Sequence, residues 1–254
     1  MATLELCDVS LSFGGLRALA HFNFSLDCGE LAALIGPNGA GKTTAFNVAT
    51  GVYAPTSGDI KLDGKKITGQ KPFRINRLGM ARTFQNIRLF GKMTVLDNVL
   101  VAENQSLRRG FAAAVIHTPG VVAEEQRHRD KAMDLLSTFD LADRAGNLAS
   151  SLPYGQQRRL EIARAMASSP RILLLDEPAA GMNPNEKIDL MGLIHFIRDR
   201  FGVGIWLIEH DMKLVMTISK RITVLDHGEI IAVGTPQEIQ QDPKVVEAYL
   251  GEPG

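Results

Sequence analysis

The chain has 254 residues, 45% of them hydrophobic, with Lys plus Arg and Asp plus Glu at 28 each and a formal net charge of zero. That length and apolar content suffice for one large domain with a buried core, and the balanced charge leaves no global basic field to gather nucleic acid, so no nucleic-acid partner is expected. Cys7 and Cys28 are the only cysteines and make no C-x-x-C pair, which argues against a disulfide framework or a cysteine zinc site and predicts two small core hydrophobes in a reducing compartment.

Along the chain, the first ten residues, MATLELCDVS, lack the basic start and apolar run of a secretory signal. No uncharged apolar stretch approaches the roughly 20 residues that span a bilayer. A soluble chain is expected, with any work at a membrane reaching it through a partner. Phe22, Phe24 and Leu26 alternate with polar residues, and Asp63-Gly64 stands as a hairpin turn in "DIKLDGKKI", so an antiparallel β portion comes first. Three later runs are continuously apolar: "LAALIG" from Leu31, "ILLLDE" from Ile172 and "IWLIEH" from Ile205. They read as buried parallel strands, and ligands of doubly wound sheets sit at the carboxyl ends of such strands.

Between the first two of these runs the pattern is helical. Thr94 and Asp97 form a candidate capping box, and Ala132, Leu135, Leu136 and Phe139 mark an amphipathic helix, placing an inserted helical subdomain at about residues 88 to 168. Its middle, "RRGFAAAVIHTPGVVAEEQRHRD", is an apolar patch broken at Pro119-Gly120 and followed by a charged run, which suits either a surface helix pair or a partner contact. "SSLPYGQQRRLEIARAM" reads as a turn opening a helix with a stripe of Leu160, Ala163 and Ala167. Its free N–H groups, with Gly155 and the nearby Arg158 and Arg159, also suit an anion seat. Toward the C-terminus, Thr235-Pro236 with Glu238, and then Asp242-Pro243, start two short helices.

"GPNGAGKTT" places Gly36, Pro37, Asn38, Gly39, Ala40, Gly41, Lys42, Thr43 and Thr44 between an apolar strand and a helix start, matching G-x-x-x-x-G-K-[ST]. Glycines there let backbone N–H groups wrap phosphate oxygens, Lys42 supplies a point charge for the β and γ phosphates, and the Thr43 hydroxyl suits Mg²⁺. Asp176 ends its strand where a residue holding the Mg²⁺ shell is needed, and Glu177 after it suits orienting and deprotonating water. His210, after the third run, suits the γ phosphate or the attacking water. Gln85 suits Mg²⁺ or water, and Phe13 suits either base stacking or the strand core.

The order of these parts resembles the ATP-binding cassette (ABC) nucleotide-binding domains, over essentially the whole chain. In that family the phosphate loop is followed by a glutamine loop (here Gln85), a helical subdomain, a signature turn, the Asp-Glu strand end and a switch histidine (here His210). The resemblance implies an α/β P-loop NTPase: an ABC-type ATPase core of residues 1–87 and 169–254 with an N-terminal antiparallel β subdomain, and an inserted helical signature subdomain at 88–168. It implies ATP and Mg²⁺ as cofactors, with Thr43, Gln85 and Asp176 toward the metal, and Glu177, His210 and Gln85 as catalytic residues. It also implies a dimer, homo- or heteromeric, in which Tyr154, Gly155 and Gln156 meet the ATP of the other subunit.

"YGQQRRLEIARAM", "LLLDEPAAGMNP", "LIEHDMKLVM" and "VVEAYLGE" are similar in particular to an ATP-binding subunit of bacterial branched-chain amino-acid importers. By that resemblance the partners are a second ABC ATPase subunit, two transmembrane permeases and a periplasmic or extracellular solute-binding protein, with this chain at the cytoplasmic face of the inner membrane through its permease contacts. An ATPase of another ABC transporter, for lipid or lipopolysaccharide, is the alternative; a soluble ABC protein of translation or DNA repair and a non-catalytic nucleotide-sensing module are more distant ones. Three positions depart from the family pattern. Pro153 stands in place of the usual serine and offers neither hydroxyl nor N–H, Tyr154 in place of the first glycine, and Asn183 in place of an aspartate.

Overall fold

A computed structural model describes residues 3–103 and 119–250. Two sheets share the work. The first is antiparallel, in the order β2-β1-β4-β5, built from β1 (Leu4–Phe13), β2 (Leu16–Leu26), β4 (Ser57–Leu62) and β5 (Lys65–Lys66). In β2, Phe22, Phe24 and Leu26 are buried while His21, Asn23 and Ser25 are exposed, so the alternation in the sequence is the burial pattern. Asp63 and Gly64 have φ of 48° and 71°, the positive pair that a two-residue hairpin matched to strand twist requires.

The second sheet has six strands in the order β10-β9-β3-β8-β7-β6. Its centre is the three apolar runs: β3 (Leu31–Ile35), β8 (Gly204–Ile208) and β7 (Ile172–Asp176), parallel neighbours buried along their whole length. Flanking them are the parallel strands β6 (Met80–Arg82) and β9 (Arg221–Asp226), with β10 (Glu229–Gly234) folding back antiparallel on β9. That outer hairpin was not among the strands expected from sequence, although His227-Gly228, at φ 43° and 81°, carries the same turn signal as Asp63-Gly64. Short α1 (Lys42–Ala49) follows β3, and α2 (Pro72–Arg77) precedes β6.

The predicted helical segment contains α3 (Val95–Glu103), α4 (Pro119–Thr138) and α5 (Tyr154–Ala167), which pack on one another. The Thr94–Asp97 capping box forms: Asp97 N donates to Thr94 Oγ1 at 3.0 Å and Thr94 N to Asp97 Oδ2 at 3.4 Å. Pro119-Gly120 opens α4 rather than breaking it, as suits proline in a first helical turn, while residues 104–118 of the expected insert lie outside the described residues. The core of these helices is continuous with the sheet, Val95, Val99, Leu136, Leu160 and Ile162 joining Leu173, Leu175 and Leu207. Beyond β7 come α6 (Pro184–Phe201), α7 (Met212–Ile218), α8 (Pro236–Gln241) and α9 (Pro243–Leu250). The last two start where Thr235 with Glu238 and Asp242-Pro243 predict, and the Thr235 capping box is closed in both directions.

Two cysteine expectations are overturned. Cys28 is exposed and Cys7 only half-buried, because Cys28 sits in the turn after β2, where its thiol touches Thr3 and Arg171 at the surface, not in a packed strand face.

The two sheets are joined by aromatic packing. Trp206 of β8, the only tryptophan, is fully buried and stacks on Phe24 of β2 with centroids 4.1 Å apart, with Phe22 at 6.2 Å and Phe46 of α1 at 4.8 Å. We expect Trp206→Ala to cost about 3 to 5 kcal/mol, read as a lowered midpoint of urea unfolding by circular dichroism; a midpoint within error of the parent contradicts this account of how the sheets are held.

Candidate functional site

The site is assembled by strand register. Leu34 of β3 pairs with Ile208 of β8, and Ile208 with Asp176 of β7, so the three chains leave the sheet at one level. The next residues on each are Gly36, Glu177 and Glu209-His210, and the site collects there as ligands do in open α/β sheets.

From β3 the chain turns through Gly36–Gly41 into α1, with Lys42 the first helical residue. The turn needs its glycines. Gly36 has φ 150°, and a Cβ there would lie 1.9 Å from the Leu225 carbonyl oxygen; Gly41 has φ 104°, and its Cβ would lie 2.7 Å from Ala18 O. Lys42 folds back over the loop, its Nζ donating to Gly36 O at 2.7 Å and Pro37 O at 2.8 Å. It is buried, and desolvation lowers its pKa against the raising pull of Glu177 and Asp176. An ammonium held so, at a glycine-rich turn that leads into a helix N-terminus, fits a polyphosphate. Asn38, Gly39 and Ala40 also line a cavity of about 680 Å³ against Lys244, Glu247 and Ala248 of α9.

At the end of β7, Asp176 is buried and bonded through Oδ2 to Arg82 Nη2 at 2.7 Å, while Oδ1 is buried without a partner. Arg82 continues to Asn47 Oδ1 at 2.7 Å and Thr50 Oγ1 at 3.3 Å, tying β6, β7 and α1 together around the carboxylate. Glu177 takes φ 48°, unusual for a residue with a side chain, and its N–H donates to Ile208 O at 2.9 Å. Both of its carboxylate oxygens are engaged: Gln85 Nε2 donates to Oε2 at 3.0 Å, and His210 Nε2 lies 2.5 Å from Oε1. Gln85, Glu177 and His210, remote in sequence, thus form one cluster. Glu209 lies beneath it, accepting from Ala179 N at 2.9 Å, with its pKa raised by burial.

An orphaned, buried carboxylate oxygen suits a hard divalent cation, and Gln85 gives its nitrogen to Glu177, which leaves its carbonyl oxygen as a second oxygen ligand. Among the described residues there is no cluster of three or more His, Cys, Asp or Glu able to hold a metal. One uncommitted carboxylate oxygen and one amide oxygen fit Mg²⁺, which takes one or two protein oxygens and completes its shell with water and phosphate.

The signature turn opens α5 and meets this cluster through Arg158. Pro153 is the N-cap of α5, with no side-chain cap for the first N–H groups. Tyr154 is half-exposed, its ring against Gly181, and a Cβ on Gly155 would approach Glu186 Oε1 at 3.3 Å. Asn183 fills the cap role open to an aspartate, accepting from Glu186 N at 3.0 Å and completing a capping box for α6. The anion seat read from Arg158 is corrected: Arg158 is fully buried and spent on protein, its Nη1 on Phe84 O at 2.8 Å and Glu161 Oε2 at 2.8 Å, its Nη2 on Gln85 O at 2.7 Å. Arg159 is bonded to Asp140. Phe13 lies at the exposed end of β1, not in the core, meeting Tyr53 edge-on at 5.2 Å.

Sequence reasoning missed Arg82, Glu161 and Tyr53, and gave Arg158 a different role. The basic and acidic side chains were legible only as surface-type residues, because most of their partners lie 32 to 94 positions away.

Comparison with known proteins agrees with this geometry. Residues 19–180 match the ABC transporter model, and 229–254 match that of the branched-chain amino acid ATP-binding cassette transporter. The chain belongs to the ABC transporter family. It is 48% identical over 249 residues, 98% of each chain, to the high-affinity branched-chain amino acid transport ATP-binding protein BraF of Pseudomonas aeruginosa. A crystal structure of the ADP conformation of an ABC transporter's ATP-binding cassette superposes with TM-score 0.85 at 30% identity, covering 99% of this chain and 100% of that one. A dimeric cassette in a post-hydrolysis state, bound to ADP and Pi, superposes with TM-score 0.76 at 25% identity, covering 92% and 98%. As a member of this family the protein is an ATPase.

Two substitutions test the site. Lys42→Ala removes a charged donor to phosphate, worth about 1.5 to 3 kcal/mol, and should weaken ATP binding roughly 10- to 100-fold by calorimetry. Glu177→Gln should keep ATP affinity within about twofold and lower turnover by about two orders of magnitude or more in the assembled complex; parental turnover refutes the assignment of the base.

Proposed function

We propose that this chain is the ATP-hydrolysing subunit of an importer for branched-chain amino acids, working in pairs at the cytoplasmic face of a membrane through permease partners. The observation that carries the ATPase half is the convergence of Lys42, Asp176, Glu177, Gln85 and His210 at one sheet edge. The substrate half is supported by similarity across nearly the whole chain to the branched-chain transport protein and by the match of residues 229–254. No helix among the described residues is long and apolar enough to cross a membrane, which fits transport through separate permeases fed by a solute-binding protein.

In this reading the loop Gly36–Thr44 binds the triphosphate, with Thr43, Gln85 and Asp176 toward Mg²⁺, and Phe13 beside the base. Mg²⁺, when held there, would neutralise charge developing on the phosphates. Glu177 takes a proton from the attacking water, which a carboxylate oxygen can accept beside its present partner, since each oxygen has two lone pairs and carries one hydrogen bond. His210 is half-exposed, so it is the partner that can swing toward the γ phosphate, while Gln85 holds the other oxygen. Hydrolysis then proceeds with water as nucleophile and ADP as leaving group.

The Tyr154–Gln156 turn is assigned to the other subunit's ATP. It offers uncapped N–H groups at the start of a 14-residue helix, and Pro153 leaves that contact to backbone and helix dipole. The division into a core of 1–87 and 169–254 and a signature subdomain of 88–168 belongs to the same proposal, with the mutual packing of α3, α4 and α5 in its support. ATP closes such a dimer and hydrolysis reopens it.

Reconstitution with co-purified permeases and binding protein in vesicles tests the substrate. ATP-driven uptake of leucine, isoleucine and valine should exceed that of polar amino acids by at least about tenfold; uptake without that preference ends the substrate assignment while leaving the ATPase intact.

A further inference from the structure

Arg158 is among the largest fully buried side chains of the protein, and its pairing with Glu161 is equally enclosed. Such a pair is costly to desolvate and is poor evidence of stabilisation, since well-packed apolar replacements usually serve as well. What distinguishes this one is where its hydrogen bonds go. The planar fork of Arg158 reaches two successive carbonyls, Phe84 O at 2.8 Å and Gln85 O at 2.7 Å, and on its own helix Tyr154 Oη at 3.2 Å. Glu161, one turn along α5, accepts from Arg88 N at 3.2 Å with its other oxygen. Two adjacent charged side chains of α5 therefore grip the backbone of residues 84, 85 and 88, which lie in no helix or strand and have no ladder of their own.

We propose that Arg158, with Glu161, is a positioning residue that fixes the Gln85 turn to the signature helix, so that the geometry of the chain's own hydrolytic cluster is set by the element that faces the partner's ATP. The path is continuous in hydrogen bonds: Tyr154 to Arg158, Arg158 to the Gln85 carbonyl, Gln85 Nε2 to Glu177 at 3.0 Å, and Glu177 to His210 at 2.5 Å. When the signature turn moves onto a neighbouring phosphate, α5 carries the Gln85 backbone with it. Gln85 in turn holds or releases one oxygen of the base. Lysine in place of Arg158 keeps the charge but lacks the fork that spans two carbonyls and Glu161 at once. The inference rests on the proposed role of the Tyr154–Gln156 turn in the dimer.

The test is the double variant Arg158→Met with Glu161→Leu, which removes both buried charges together, and Arg158→Lys as a milder companion that keeps the ion pair possible. In the assembled transporter the double variant should lose at least about tenfold in kcat while KM for ATP stays within about twofold, and amide exchange at residues 85 to 88 should quicken while that of 36 to 44 does not. Arg158→Lys should show the same split, with a loss of about three- to tenfold. Parental kcat in whichever of the two variants folds overturns the proposal, and so does a loss confined to KM or to the fraction of folded protein. Glu177→Gln measured alongside separates the failures: if it hydrolyses ATP like the parent, the site assignment itself is wrong, whereas an inactive Glu177→Gln beside a fully active double variant removes only the clamp.

Discussion

Everything chemical in this protein depends on three apolar strands ending level with one another. The pairing of Leu34 with Ile208 and of Ile208 with Asp176 brings the strand ends level, and a slip by one residue would turn every side chain to the opposite face and push Asp176 out of the site. Given that register, the phosphate loop, the Asp176-Glu177 step and His210 have to emerge side by side. The Trp206 stack then fastens the antiparallel sheet against the parallel one, which also brings Ala18 of β2 against Gly41, while Leu225 of β9, the strand beside β3, crowds Gly36, so that only glycine fits at either position. Packing and catalysis are the same constraint seen from two ends of a strand.

Around that edge, buried charge is spent on placement. Arg82 gathers Asp176, Asn47 and Thr50 and leaves one carboxylate oxygen uncommitted, and Arg158 gathers the carbonyls of residues 84 and 85. Both guanidinium groups are enclosed by protein, and both satisfy backbone or carboxylate groups that irregular chain would otherwise leave unpaired. Glu177 is held in a left-handed backbone conformation with each oxygen already bonded, a poised and strained arrangement of the kind that clusters at functional sites. The site as it stands is assembled but restrained, which suits an ATPase whose turnover should wait for a second subunit.

What the sequence by itself determined is whatever short-range chemistry imposes. The alternation of Phe22, Phe24 and Leu26, the Asp63-Gly64 turn, the capping boxes at Thr94 and Thr235 and the phosphate loop all reside in fewer than ten consecutive residues, where periodicity and backbone preference act directly. The three central strands were legible because burial on both faces demands an unbroken apolar run. The β9–β10 hairpin escaped because its outer strand is only half-buried, so the apolar run lost its contrast although the turn residues were present.

Tertiary structure decided whatever depends on partners far along the chain. Cys28 was expected in the core from its residue type, but a turn placed it at the surface; Arg158 suited an anion seat as well as a plain helix start, but the fold enclosed it against Phe84, Gln85 and Glu161. That Gln85 and His210 meet at the two oxygens of Glu177 is likewise invisible in one dimension, since they stand 92 and 33 positions from it. Residue type fixes what a side chain can do, but the desolvation and hydrogen-bond partners that select among those possibilities come only from segments brought together by the fold.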